Sequence, residues 1–147
     1  MSLVIADTSA IIAAYDRASL HHDRAREELS RSTAIVSPMV MGEVDHLLLA
    51  RFGKDRSVAN LVLDDLLASA VDETVLLPAV GVRDLEAARA VITHYRDLRL
   101  DLTDALSVVL AARFAVTEIL TLDERDFRTV RPLTPGAPSF TLPIQDL

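Results

Sequence analysis

Apolar and polar positions along this chain fall into blocks that switch between the repeat of a strand and the repeat of a helix. Leu3-Val4-Ile5-Ala6 is an unbroken apolar run with β-branched residues inside it, the pattern of a strand buried on both faces, and it stops abruptly at Asp7-Thr8-Ser9. Thr8-Ser9 can cap a short helix over Ala10–Ala14, and a charged helix over His21–Ser30 follows. Thr33–Val36 predicts a second strand. Ser37-Pro38 then opens a helix, with Ser as cap and Pro at the first helical position, that runs to about Phe52 and stops at Gly53. Arg56–Val71 predicts another helix, Glu73–Leu77 a third strand closed by Pro78, and Asp84–Tyr95 an Ala-rich helix. Thr103 is placed to cap a strongly apolar helix ending near Phe114, and Glu118–Leu122 predicts a fourth strand. Glu124–Phe127 reads as a turn or short helix anchored by Phe127, and Phe140–Ile144 as a short final strand or extended segment after a loop rich in Pro. Strands alternating with helices predict an α/β fold with a mainly parallel sheet, because helical crossovers return successive strands in the same direction.

Composition narrows this picture. A chain of 147 residues, half of them hydrophobic, fits one domain spanning residues 1–147 with a substantial core. The absence of cysteine excludes disulfides, thiolate metal sites and cysteine nucleophiles, so any metal must be held by oxygen or histidine. His21 and His22 are adjacent and diverge on a helix, which removes them as joint ligands of one ion. No apolar run approaches the roughly 18 residues of a membrane span, and no signal-peptide pattern opens the chain, so a cytoplasmic location without membrane contact is expected. The formal charge of −7 opposes indiscriminate binding to phosphate backbones, although all but one of the 15 basic residues are arginines suited to bidentate phosphate contact.

The candidate chemistry lies in four acids. Asp7 stands at the end of the first strand, where it either caps a helix or serves a site at the sheet's C-terminal edge. Asp123 follows the fourth strand in the same way. Glu43 lies in the second turn of its helix, on a stripe with Val40 and Leu47, so it is either a buried carboxylate in need of a partner or a residue at the stripe's margin. Asp104 opens the apolar helix, where the macrodipole favours a carboxylate, and Asp101 lies three residues before it. In a parallel sheet all four can converge on one edge. Carboxylates packed together raise one another's pKa unless a cation neutralises them, and hard oxygen donors suit Mg²⁺ or Mn²⁺. A pair of such ions can activate water and stabilise the leaving oxygen in phosphodiester hydrolysis.

Four stretches in order, Val4-Ile5-Ala6-Asp7-Thr8-Ser9-Ala10, Ser37-Pro38 leading to Glu43-Val44-Asp45, Leu102-Thr103-Asp104-Ala105, and Ile119-Leu120-Thr121-Leu122-Asp123-Glu124-Arg125-Asp126-Phe127, carry a resemblance. Over nearly its whole length the chain resembles the PIN-domain ribonucleases, particularly the VapC toxins of toxin-antitoxin systems. The resemblance implies a three-layer fold with a central sheet flanked by helices, and Asp7, Glu43, Asp104 and Asp123 as the acidic quartet that binds one or two Mg²⁺ or Mn²⁺ ions. It also implies Thr8 and Thr121 as neighbouring hydroxyls that orient ligands or water. Asp101 departs from the family pattern, which often has a non-acidic residue there, and Asp126 is a further acid near the site whose slot before Phe127 suits a turn. The implied activity is endoribonucleolytic, the implied partners are RNA, a VapB-type antitoxin whose C-terminal segment blocks the acids, and a second copy of the chain. A PIN fold kept for binding antitoxin or RNA, with little nuclease activity, is the alternative. A receiver domain would need a late lysine, and the only lysine is Lys54; a haloacid-dehalogenase-like phosphatase would need an acid at position 9, where Ser9 stands.

Overall fold

The computed structural model describes residues 2–53 and 55–146. Four strands, β1 (Ser2–Ala6), β2 (Ser32–Ile35), β3 (Val75–Leu76) and β4 (Ile119–Leu120), form one sheet in the order β3-β2-β1-β4, with every pairing parallel. Among the described residues, seven α-helices connect and cover them: α1 (Thr8–Tyr15), α2 (His22–Ser30), α3 (Pro38–Arg51), α4 (Ser57–Val71), α5 (Val82–His94), α6 (Leu102–Arg113) and α7 (Glu124–Thr129).

Alternation along the strands explains the layering. Val4 and Ala6 of β1, Ala34 and Val36 around β2, and Leu120 of β4 face a core filled by α1 to α4, whereas Ile5, Ile35 and Ile119 face a second core filled by α5, α6 and Phe127 of α7. A sheet covered on both sides needs apolar residues at every position, which is why β1 carries no polar alternation. The chain leaves β1 towards β2 and β3 on one side and reaches β4 on the other. The strand order therefore reverses between β1 and β4, and the crevice beyond their C-terminal ends is the switch point where open α/β sheets bind ligands.

Several boundaries differ from the sequence expectation for identifiable reasons. The first helix begins at Thr8, two residues early, so Asp7 occupies the position before it. Asp101, not Thr103, caps α6: its Oδ1 accepts the backbone N–H of Asp104 at 2.8 Å, while Thr103 is buried inside the first turn. Ser37 caps α3 as expected, accepting from the backbone N–H of Val40 at 3.0 Å. The buried stripe of that helix is Val40, Val44 and Leu48, with Leu47 exposed, so Glu43 lies at the stripe's margin, half-buried. β3 and β4 each keep only two residues, and the expected last strand reduces to one parallel bridge between Thr141 and Glu118.

Candidate functional site

The switch-point crevice is built by register. β1 and β4 pair Ile5 with Ile119 and Ala6 with Leu120, and the Asp7 N–H donates to the Leu120 carbonyl at 2.9 Å, so the chain sets Asp7 beside Thr121 just as both strands end. Asp7 sits in the N-cap position of α1, yet its side chain makes no capping bond. Its Oδ2 instead accepts from the Thr121 hydroxyl at 2.8 Å and the Ser9 hydroxyl at 3.3 Å. Those two hydroxyls are themselves anchored, since Ser9 Oγ accepts the Leu122 N–H at 2.9 Å and Thr121 Oγ1 accepts the Asp123 N–H at 2.9 Å. The buried carboxylate is thus tied through two hydroxyls to the strand end that carries Asp123. Burial pushes the Asp7 carboxyl above the ordinary carboxylate range, the hydrogen bonds from Thr121, the Thr8 N–H and Ser9 pull it down, and the Glu43 charge adds to the rise.

Asp104 lies half-buried in the first turn of α6. Burial, followed by the charges of Asp7, Asp101, Asp123 and Glu43, pushes its carboxyl up to about 8. This identifies the acids that share its field. Asp123 caps α7 through Oδ1, which accepts the Asp126 N–H at 3.3 Å, and the cap turns Asp126 back towards the crevice. One carboxylate oxygen from each of Asp104, Asp123 and Asp126 falls within a common 4.8 Å, an arrangement able to hold a metal ion. Asp126 is raised by burial and then by the charge of Asp123.

The structure therefore draws Asp104 and Asp123 together with Asp126, and sets Asp7 and Glu43 close enough to act on Asp104 by charge. Asp101 adjoins the group through its cap. Thr121 is fully buried at the centre of the hydroxyl network, whereas Thr8 is buried with its hydroxyl unpartnered among the described residues. Ser9 was legible only as a helix-capping residue, and Asp126 as a further acid near the site whose slot suited a turn. The spacing that reveals Asp126 is the three-residue step from Asp123, which joins a cap to the first turn of the helix it starts. His22, by contrast, is spent on structure, with Nδ1 2.9 Å from the Ala13 carbonyl oxygen.

A model of the PIN domain matches residues 4–132, from β1 to beyond α7. The chain belongs to the PIN-domain family. Ribonuclease VapC26 of Mycobacterium tuberculosis is 38% identical over 135 residues, which cover 90% of this chain and 96% of that protein, and bears out the resemblance to VapC-type members. The crystal structure of VapC20 from the same organism, described as a sarcin-ricin loop cleaving toxin, superposes with a TM-score of 0.70 at 20% identity, covering 84% of this chain and 92% of that one. This last likeness supports the fold: a parallel sheet between two helical layers is the PIN architecture. Among the described residues of this PIN domain, no helix is long and apolar enough to cross a membrane.

Proposed function

We propose that this PIN domain, with residues 1–147 acting as one unit, is a divalent-cation-dependent endoribonuclease of the VapC type, the toxin of a toxin-antitoxin pair acting on cytoplasmic RNA. The observation that carries this reading is the convergence on one edge of Asp104, Asp123 and Asp126, where burial and then the charges of Asp7, Asp101, Asp123 and Glu43 push Asp104 up to about 8. So many carboxylates with no ion-pair partner among the described residues form a strongly negative centre, and the donor set is entirely oxygen. That donor set fits Mg²⁺ or Mn²⁺, one ion or two.

Asp7, Glu43, Asp104 and Asp123 would hold the cation, with Asp126 contributing from α7. When bound, a divalent cation neutralises the acids, lowers the pKa of water and polarises a phosphoryl oxygen. The chain's own residues prepare for it. Thr121 and Ser9 occupy Oδ2 of Asp7, which fixes the carboxylate's orientation and favours its charged form. Asp123 divides its work, capping α7 with one oxygen while its carboxylate faces Asp104. Asp101 holds the start of α6 by accepting the backbone N–H of Asp104, which fixes the turn from which the Asp104 side chain leaves. No side chain is required as a covalent nucleophile.

The 38% identity to a VapC ribonuclease supports RNA as substrate and a VapB-type antitoxin as partner; a basic side chain entering the acids is a suitable inhibitor, and a homodimer is the expected assembly. Sequencing RNA ends after induction of the wild type and of Asp7→Asn tests the reading. New ends carried by a defined set of RNAs are expected with the wild type alone. Identical RNA ends in both cultures would leave a binding module instead.

A further inference from the structure

Fourteen of the chain's 15 Lys and Arg residues are arginines, and their engagement is uneven. Eight have guanidinium groups already bonded to an acceptor, most of them fastening one part of the fold to another, as Arg113 fastens α6 to Asp84 of α5, while Arg31 and Arg89 bond within or at the end of their own helix. The other six, Arg17, Arg83, Arg96, Arg99, Arg125 and Arg131, are exposed and have no guanidinium partner among the described residues. Their distribution is the informative feature.

Arg17 and Arg83 lie far from the acids. α1 starts beside Asp7 and runs away from it, so Arg17, beyond its end, is at the opposite edge of the sheet. Arg83 is in the first turn of α5, where Asp84 meets Arg113 at the last turn of α6, the end remote from Asp104. The remaining four lie at the acidic end. Arg96 is in a 3₁₀ turn, Arg96–Leu98, that links α5 to α6, and Arg99 closes the turn in a left-handed conformation (φ 55°) two residues before Asp101. Arg125 stands between Asp123 and Asp126, and its charge is felt at Asp126. Arg131 is drawn to the same place by its backbone N–H, which donates at 3.1 Å to the hydroxyl of Tyr95, the residue before the turn.

A polyanion approaching this chain meets a net charge of −7 and an acidic centre, both repulsive. Cations already in ion pairs offer it little, whereas uncommitted guanidinium groups bind phosphate bidentately without breaking an existing contact. We infer that Arg96, Arg99, Arg125 and Arg131 form a phosphate-binding track that leads the RNA backbone into the acidic centre. The inference rests on the ribonuclease reading and adds the surface by which substrate is held. The track is specific to backbone, so it sets how strongly and in what direction RNA lies, while base choice falls to other contacts.

The test compares two charge-matched doubles in the Asp7→Asn background with Mg²⁺ present, using a fluorescein-labelled oligouridylate and anisotropy over a KCl series. Arg96→Gln/Arg131→Gln should weaken binding about tenfold or more at low salt and flatten the slope of log affinity against log salt by about 1.4, since each single-strand phosphate contact contributes about 0.7. Arg17→Gln/Arg83→Gln should leave that slope unchanged. Thermal melting confirms that both doubles fold, and a near double that melts early is replaced by Arg99→Gln/Arg125→Gln, read in the same way. Equal slopes in near and far doubles would overturn the track. Absence of RNA cleavage by the wild type with either Mg²⁺ or Mn²⁺ would overturn the ribonuclease reading itself.

Discussion

Two strand ends in this molecule share one sequence pattern and use it differently. β1 delivers Asp7 to the start of α1, and β4 delivers Asp123 to the start of α7. Asp123 caps its helix with one carboxylate oxygen, whereas Asp7 withholds its side chain from capping and accepts hydrogen bonds from Thr121 and Ser9. The difference follows from what each helix needs. α7 has six residues and depends on its cap, since so short a helix is marginal without one. α1 packs Ala10, Ile11, Ala13 and Ala14 into the core and is held by burial, so the residue before it is released for another task. An aspartate after a strand thus reveals a site when tertiary packing has removed its structural duty.

The largest expected effect comes from the released carboxylate. Asp7→Asn should lower Mg²⁺-dependent RNA cleavage by about 10²–10³-fold, the scale on which single electrostatic groups at a reacting phosphate act, while the melting temperature stays level or rises because burial already disfavours the charge. Removing the hydroxyl that orients it comes next. Thr121→Val should weaken Mn²⁺ affinity in calorimetric titration by about 10–100-fold and cost about 1–3 kcal/mol in urea unfolding, because Asp7 Oδ2 and the Asp123 N–H both lose a buried partner.

Asp123 offers the sharpest contrast. Asp123→Ser keeps a good cap and removes the carboxylate, so stability should hold within a few tenths of a kcal/mol while cleavage is lost; Asp123→Ala should also cost about 1 kcal/mol. Equal stability of the two variants would show that α7 does not need the cap, and that the strand ends are alike.

Asp104 gives a pH dependence whose sign is opposite to that of a salt-bridged acid. Its carboxyl titrates near its ordinary value of 3.8 when unfolded and at about 8 when folded, so between these values the native state binds the extra proton. Metal-free stability should therefore fall as pH rises from about 4 to about 8, by at most about 1.4 kcal/mol per pH unit, and Mg²⁺ should raise the melting temperature more at the upper end of that window than at the lower. The smallest effect is expected at Asp101, where Asn keeps the cap on α6 and removes one of the charges acting on Asp104. Asp101→Asn should shift that pH profile slightly downward with little change in melting temperature.

The sheet was legible because burial on both faces leaves an unmistakable apolar run at Val4 and Ile5, and Ser37-Pro38 marked α3 through backbone chemistry that acts locally. The acids were legible by type and by place in the alternation. Their division of labour was not, because it depends on the β1–β4 register: only the pairing of Ala6 with Leu120 brings Thr121 to Asp7. Thr103 and Asp101 both suit a cap, and nothing local chooses between them; the choice goes to Asp101 because Thr103 is needed in the core. Leu47 fits a helical stripe as well as Leu48 does, and the packing of α3 against α1 and α4 decides that Leu48 is buried.

The most direct measurement is RNA cleavage by the metal-stripped protein in EDTA and again after Mg²⁺ is restored, with Asp7→Asn alongside. Cleavage should be absent in EDTA, return with Mg²⁺ in the wild type and fail to return in the variant. Cleavage that persists in EDTA and is equal in both proteins would contradict a catalytic centre built on these carboxylates.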